Sequence, residues 1–338
     1  MQSFLGSSLF KEMMLSTTMT LHPGDTLDHF ELKSVVATSG MATVFRARDT
    51  RTGEEVAIKV PHPEIESDPT LFDRFKREEE IGTRINHPGV MKVFENPDRT
   101  QVYMVMEWLD GRLLRHIIND EKKLSVERAV HLTAAICHAL EVIHAEGVVH
   151  RDLKPENIMV GPNDEVHLID FGIAASAGSR RLTFAHFSQS MGTPDYISPE
   201  QVRGKRGDAR SDIYSVGVML YEMLTGQVPF SGPNPFAVMN DRLLNQPKPP
   251  RELNAEITPQ MQEIIYRALE REPKNRYANA REMAHDLENQ DEVGVAERPE
   301  AQEWQKRQSP EARRWVMYGA LALIPVAIFV VMYLVAKK

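Results

Sequence analysis

Apolar and polar side chains begin to alternate at Phe30. Phe30-Glu31-Leu32-Lys33, Thr43-Val44-Phe45-Arg46-Ala47-Arg48 and, past the turn at Thr52-Gly53, Glu55-Val56-Ala57-Ile58-Lys59-Val60 repeat with a period of two, which predicts three half-buried strands. The period then changes. Leu71 to Ile81 carries apolar residues at helical spacing behind Asp68 or Thr70 as an N-cap, and Gln101 to Met106 reads as a further strand running into Glu107-Trp108-Leu109-Asp110-Gly111. From Ser125 a long helix is predicted, with Val126, Val130, Ala134, Ile136, Cys137, Leu140 and Ile143 on one broad face and Gly147 as its stop. Two short apolar runs follow, Ile158-Met159-Val160 and Val166-His167-Leu168-Ile169, joined by the turn formers Gly161-Pro162-Asn163-Asp164, a hairpin pattern.

A hairpin brings its open ends together, so Asn157 just before it is placed beside Asp170 just after it. One amide oxygen and one carboxylate facing the same point suit Mg²⁺, which takes oxygen ligands and is held by few protein groups plus substrate phosphates. The run leading into the hairpin, His150-Arg151-Asp152-Leu153-Lys154-Pro155-Glu156-Asn157, adds a proton acceptor and a phosphate-binding cation.

That run, with Asp170-Phe171-Gly172 behind it, resembles the catalytic loop and metal-binding motif of eukaryotic-type (Hanks-type) serine/threonine protein kinases, notably bacterial membrane-anchored members. Other segments keep the family's order. Val56-Ala57-Ile58-Lys59 resembles its third-strand motif, and Gly192 to Glu200 resembles the end of its activation segment, with Ser198 where alanine is usual. Ser211 to Gly217 and Glu222 to Phe230 resemble the buried large-lobe helix and the turn after it, and Arg276 the buried partner of Glu200. The resemblance implies an α+β, two-lobed protein kinase fold over 29–288, with a β-rich small lobe over 29–106 and a helical large lobe over 112–288.

The resemblance also implies roles. Asp152 accepts or orients the proton of the substrate hydroxyl, Lys154 steadies the γ-phosphate, and Asn157 and Asp170 hold Mg²⁺, or Mn²⁺ in its place. Lys59 positions the phosphates of ATP and Glu78 orders Lys59. Glu78 is chosen over Glu79 and Glu80, read as surface charges, because it follows Phe75-Lys76-Arg77 and keeps the family's distance to His87-Pro88. Met106 guards the deep pocket, Glu107 and Leu109 belong to the hinge that grips adenine through its backbone, and Ala37, Gly40, Val44, Ala57 and Met159 complete the nucleotide site. Lys154, and Thr193 before Pro194, resemble serine/threonine rather than tyrosine kinases. Arg151 is a partner for a phosphate on the activation segment, with Thr183, Ser188 and Ser190 as candidate acceptors.

One segment departs from the pattern. The phosphate-covering loop of the family has glycines at the positions held here by Ala37, Ser39 and Ala42, and only Gly40 remains to give backbone freedom. Weakened ATP affinity is the expectation, and a membrane-tethered pseudokinase scaffold is the alternative to an active enzyme.

Composition adds boundaries. A net charge of -8 over 338 residues, with no strongly basic domain, argues against a nucleic-acid partner. The single cysteine, Cys137, excludes an intramolecular disulfide and reads as a packed core thiol. His131, His138 and His144 share no i, i+4 face, so they are not read as metal ligands. Residues 1–28 read as a disordered leader without a secretory signal, and internal methionines leave a downstream start open. Residues 289–314 read as a juxtamembrane linker. Val316 to Ala336 has no charged residue and as a helix would span roughly 30 Å, so 315–336 is expected to be a transmembrane helix, with Trp315, Tyr318 and Tyr333 near its ends. Lys306, Arg307, Arg313 and Arg314 place the kinase on the cytoplasmic side, and with only Lys337 and Lys338 beyond, the expected topology is a single-pass tail anchor. The expected partners are proteins with Ser/Thr acceptors near the membrane, including sister copies for trans-autophosphorylation.

Overall fold

The structure is a computed structural model, and it describes residues 21–170 and 194–296. Residues 1–20, the segment 171–193 with Phe171, Gly172 and the three candidate phosphoacceptors, and everything beyond residue 296, including the expected membrane span, lie outside the described residues. Two expected boundaries shift: 21–28, read as the end of a disordered leader, carries a strand at Thr26–Leu27 that buries Leu27, and 289–296, read as linker, begins with a 3-10 turn at Gln290–Glu292 whose neighbour Val293 packs on the core. Among the described residues, no helix is long and apolar enough to cross a membrane.

The alternating segments build an antiparallel six-stranded sheet. Its strands are β1 (Thr26–Leu27), β2 (Phe30–Thr38), β3 (Ala42–Asp49), β4 (Glu55–Pro61), β5 (Val93–Phe94) and β6 (Met104–Glu107), in the order β1-β2-β3-β4-β6-β5. Period-two alternation sends Phe30, Leu32, Phe45, Ala47, Val56 and Ile58 to one face, where they pack with Tyr103 and Val105. Ala57, Met104 and Met106 face the other way and join the larger core. β2 runs beyond the alternating stretch, and two register shifts against β3, between Leu32 and Ser34 and between Val35 and Ala37, bend its exposed second half. Gln101 to Tyr103 precede β6 instead of belonging to it. A short helix α1 (Pro63–Ser67) leads into α2 (Pro69–Arg84), whose N-terminus is capped by Asp68, its carboxylate accepting the amides of Thr70 and Leu71 at 2.8 and 3.2 Å.

The larger, helical lobe begins with β7 (Arg112–Leu113) and α3 (Leu114–Glu121). The long helix α4 (Val126–Ala145) starts at Ser125, whose hydroxyl accepts the Arg128 amide at 3.2 Å, and is followed by Gly147 at φ +72°. The expected hairpin is β8 (Ile158–Val160) and β9 (Val166–Leu168), with β7 completing a sheet ordered β7-β8-β9. Beyond residue 194 come α5 (Pro199–Val202), α6 (Ala209–Thr225), α7 (Pro235–Leu244), α8 (Pro250–Leu253), α9 (Pro259–Ala268) and α10 (Ala280–Glu288). Every residue of α6 from Ser211 to Leu224 is buried, and the helix packs against α4 and α9. Gly217 makes the second contact possible, because a β-carbon there would stand 2.7 Å from Ala268 Cβ.

The two lobes are stitched together just ahead of Asp170. Met91 donates to the Leu168 carbonyl and Leu168 to the Gly89 carbonyl, both at 2.9 Å, so the stretch after α2 pairs with the end of β9.

Candidate active site

Strand register assembles the small-lobe half of the site. Val44 on β3 lies opposite Ala37 on β2 and Lys59 on β4, Lys59 lies opposite Met104 on β6, and Ala57 lies opposite Met106. From this ladder Lys59 reaches α2, where its Nζ donates to Glu78 Oε1 at 2.6 Å. Both side chains are largely buried, at 17% and 14% exposure, so the pair has little water to compete with it. Burial alone would strip the proton from Lys59, but Glu78, with Asp170 behind it, outweighs that and raises the ammonium's affinity for its proton. Burial pushes the Glu78 carboxyl up; Lys59 opposes this and Asp170 adds to it.

The three adjacent carboxylates of α2 separate clearly. Glu80 is exposed. Glu79, expected as a surface charge, is instead only 14% exposed and accepts a two-pronged guanidinium contact from Arg99. Successive residues on a helix point about 100° apart, so Glu78 and Glu79 leave α2 in different directions and find different partners.

In the large-lobe half, Lys154 Nζ donates to Asp152 Oδ2 at 2.7 Å, and Asn157 Nδ2 donates to the Asp152 carbonyl at 2.8 Å. Ile169 donates its amide to the Asn157 carbonyl at 3.1 Å, so the hairpin's open ends close side by side and carry Asp170 to Asn157. The loop itself is held by a residue the sequence did not single out. Asp212 on α6 is completely buried, and its carboxylate accepts the amide of His150 at 2.9 Å, the amide of Arg151 at 2.8 Å and the His144 ring at 2.8 Å. These bonds hold Arg151 at φ +64°, a conformation that a residue with a side chain adopts at a cost. The only signal in the sequence was a carboxylate near the start of a helix whose apolar residues mark it as buried. Nearby, Arg115 on α3 bridges Glu156 at 2.8 Å and Glu222 at 2.9 Å and also meets Tyr196, tying the loop to α6 from a second side.

The donor set fits Mg²⁺. Asn157 spends its amide nitrogen on the Asp152 backbone, which leaves its oxygen as the cation-facing atom, and Asp170 supplies a carboxylate. Among the described residues no group of three or more His, Cys, Asp or Glu side chains is placed to hold a metal. Two oxygen donors match a cation that keeps water and substrate phosphates as its remaining ligands.

At the hinge, Glu107 pairs with Lys92 through both backbone and side chain, its amide donating at 3.0 Å and its carboxylate accepting at 2.7 Å. Trp108, next in line, lies under the Arg46 guanidinium, 4.6 Å from its ring centroid, and donates to Asp110 at 2.9 Å. Leu109, also in this hinge, is half-buried and packs against the main core. Gly111 lets the hinge pass β8, since a β-carbon there would lie 2.5 Å from the Val160 carbonyl oxygen and 3.1 Å from Met159 Cγ. Met159 is thereby placed under the hinge. At the tip between β2 and β3, the Ser39 hydroxyl accepts the amides of Met41 and Ala42 at 3.2 and 3.1 Å. Gly40 has no left-handed φ, and a β-carbon on it would meet nothing within 4 Å, so here the turn is closed by a side chain and not by glycine freedom.

Comparison with known proteins agrees with this geometry. A Streptomyces coelicolor protein named as a probable serine/threonine-protein kinase is 40% identical over 264 residues, covering 77% of this chain and 39% of its own length. Serine/threonine-protein kinase PknB of Mycolicibacterium smegmatis is 39% identical over 265 residues, covering 77% of this chain and 42% of its own. The chain therefore spans about two-fifths of the length of the curated relatives it matches. Among solved structures, the PknI kinase domain of Mycobacterium tuberculosis superposes with a TM-score of 0.62 at 24% identity, covering 81% of this chain and all of that one, a likeness of fold. The family model for the protein kinase domain matches residues 30–287, a span that holds both halves of the cleft, and the chain belongs to that family.

Proposed function

We propose that this chain transfers the γ-phosphate of ATP to serine and threonine hydroxyls of proteins. The observation that carries the reading is the Lys59–Glu78 pair at 2.6 Å, in a chain whose catalytic loop joins Asp152 to Lys154 and Asn157 and leads through the β8–β9 hairpin to Asp170. Transfer of a phosphoryl group asks little covalent help of a protein and depends on position and on neutralised charge. Glu78 holds the Lys59 ammonium where it meets the α- and β-phosphates. Met106 to Leu109 present backbone to adenine, with Ala57 above and Met159 below. Asp152 orients the acceptor hydroxyl and takes its proton, while Lys154, bonded to the same carboxylate, sets positive charge where the γ-phosphate passes. Asn157 and Asp170 would hold Mg²⁺, which when bound would further neutralise the phosphate charge. The names of the relatives support serine and threonine as acceptors.

Purified chain given γ-labelled ATP and a protein acceptor is expected to transfer label, and Asp152→Asn to reduce the rate by about 10² to 10⁴. Absence of transfer by the wild type at every Mg²⁺ or Mn²⁺ level would overturn the reading.

The reading extends to regulation and place. Burial, then Arg206 and Arg77, disfavour the charge on Arg151 against the opposing pull of Asp212 and Asp208, and a phosphate on the activation segment would add to that pull. The uncharged stretch 316–336 and the basic residues before it support a membrane anchor with the kinase on the cytoplasmic face. An anchor confines neighbouring copies and favours phosphorylation between them. Removal of residues from Trp315 onward should release the chain from the membrane fraction and slow self-phosphorylation; unchanged partitioning would refute the anchor.

A further inference from the structure

α2 is thinly seated. Only three of its sixteen residues, Phe75, Ile81 and Gly82, are buried, so apolar packing leaves its exact position weakly determined. Its polar tethers then matter. One is Glu78 to Lys59. The other is Glu79, which Arg99 grips with both terminal nitrogens, Nη2 reaching Oε2 at 2.9 Å and Nη1 contacting Oε1. The paired, planar geometry fixes direction as well as distance.

Arg99 is in turn immobilised. It sits in the loop between β5 and β6, and its Nη1 also donates to the Tyr103 carbonyl at 2.7 Å. Tyr103 is completely buried and meets Phe30 edge to face at 6.0 Å. The Asp28 carboxylate, at the turn between β1 and β2, accepts the Tyr103 hydroxyl, the Thr100 hydroxyl at 2.6 Å and the Thr100 amide at 3.2 Å. Burial opposes the charge on Asp28, but the bonds from Thr100 and Tyr103 outweigh it and hold the carboxyl below its usual range. The guanidinium is thus a rigid arm from the sheet core to the helix.

We propose that Arg99 is a positioning residue for Glu78: by clamping Glu79 it sets the rotation and height of α2 at which the neighbouring Glu78 reaches Lys59. The clamp rests on the kinase reading for its effect on rate, but not for its effect on the helix.

The test is a double-mutant cycle on the full chain. Arg99→Gln and Glu79→Gln should each lower kcat/KM for ATP by roughly tenfold, the scale of a coupling between contacting residues. In a Glu78→Gln background the same Arg99→Gln change should alter kcat/KM, or the affinity for a fluorescent ATP analogue where turnover is too slow to follow, by less than about twofold. Amide exchange across α2 should quicken in Arg99→Gln while β3 and β4 keep their protection. An equal loss in both backgrounds would overturn the proposal and leave Arg99 a general stabiliser. A wild type that transfers no phosphate would sink the kinase reading alone, since exchange in α2 still decides the clamp; unchanged exchange there would sink the clamp.

Discussion

Glu200 and Arg276, 76 residues apart in the chain, meet through two parallel hydrogen bonds of 2.8 and 2.7 Å in a site closed to solvent. The rest of the guanidinium is spent on the carbonyls of Glu270, Arg210 and Arg271, and Ser211 donates to Glu200 at 2.6 Å. Both charges are therefore fully satisfied. Removing one partner strands the other, which typically costs about 3–5 kcal/mol. Glu200→Gln is expected to lower the melting temperature by several degrees without altering the ATP cleft directly.

The same pair sets an acid limit. Burial works against ionisation of Glu200, but Arg276 and then Ser211 outweigh it and hold the carboxyl below its ordinary value of 4.5. A depressed folded-state value means the unfolded chain binds the proton more readily. The stabilisation is therefore complete above 4.5 and is lost as pH falls through the lower folded value. Melting temperature followed downward from neutrality should fall below about pH 4.5, and this part of the fall should be shallower in Glu200→Gln. An equally steep fall in the variant would count against the assignment.

The pairing of Glu200 with Arg276 was legible in the sequence because it rides on motifs whose spacing is fixed by a shared fold. So were the hairpin from Ile158 to Leu168 and the α2 carboxylate opposite Lys59. What was not legible depends on direction instead of pattern. Glu79, read as a surface charge, is turned by the helix's rotation toward Arg99, a partner that no spacing in the sequence names. Asp212 lay inside a mostly apolar helix whose pattern said only that it is buried, not that the catalytic loop's amides lie against it. The strands β1, β5 and β7 are two residues each, too short for alternation to register. At the β2–β3 tip, missing glycines foretold a departure, but the Ser39 turn that replaces them follows from a hydroxyl reaching two amides.

The Lys59–Glu78 pair predicts a pH profile. Burial, reinforced by Asp170 and opposed by Lys59, raises the Glu78 carboxyl above its ordinary value of 4.5. Protonation of Glu78 releases Lys59, so kcat/KM for ATP should fall as pH drops, with a limb above 4.5. Glu78→Gln should lower the plateau and abolish that limb. A limb that survives in Glu78→Gln belongs to another group.

Asp212 predicts a loss of rate out of proportion to its distance from substrate. Its two carboxylate oxygens accept three donors, from His144, His150 and Arg151, and they hold Arg151 in its left-handed conformation. In Asp212→Asn one oxygen becomes an NH₂ that faces a backbone N–H. A hydrogen bond to a charged group is worth about 1.5–3 kcal/mol, so release of the loop is expected to cost roughly ten- to a hundredfold in kcat. KM for ATP should change little, because Lys59 and the hinge stay in place. Equal losses in kcat and in ATP affinity would point to general unfolding.

Gly111 predicts how tightly the hinge must pass β8. A β-carbon at this position would stand 2.5 Å from the Val160 carbonyl oxygen and 3.0 Å from its carbonyl carbon, both backbone atoms that cannot swing aside, with Met159 Cγ at 3.1 Å. Relief requires β7 and β8 to part or the hinge to lift. Forced overpacking of this kind costs about 1–3 kcal/mol. The strain falls at the hinge backbone and at Met159, the groups against which the adenine is proposed to lie. Gly111→Ala should therefore raise KM for ATP more than it lowers kcat, and it should weaken binding of a fluorescent ATP analogue by a similar factor. Gly40→Ala is the matching control, since a β-carbon there meets nothing within 4 Å and the residue has no left-handed φ. It should leave stability unchanged. A Gly111→Ala chain with wild-type ATP affinity would show that the hinge gives way without disturbing the nucleotide site.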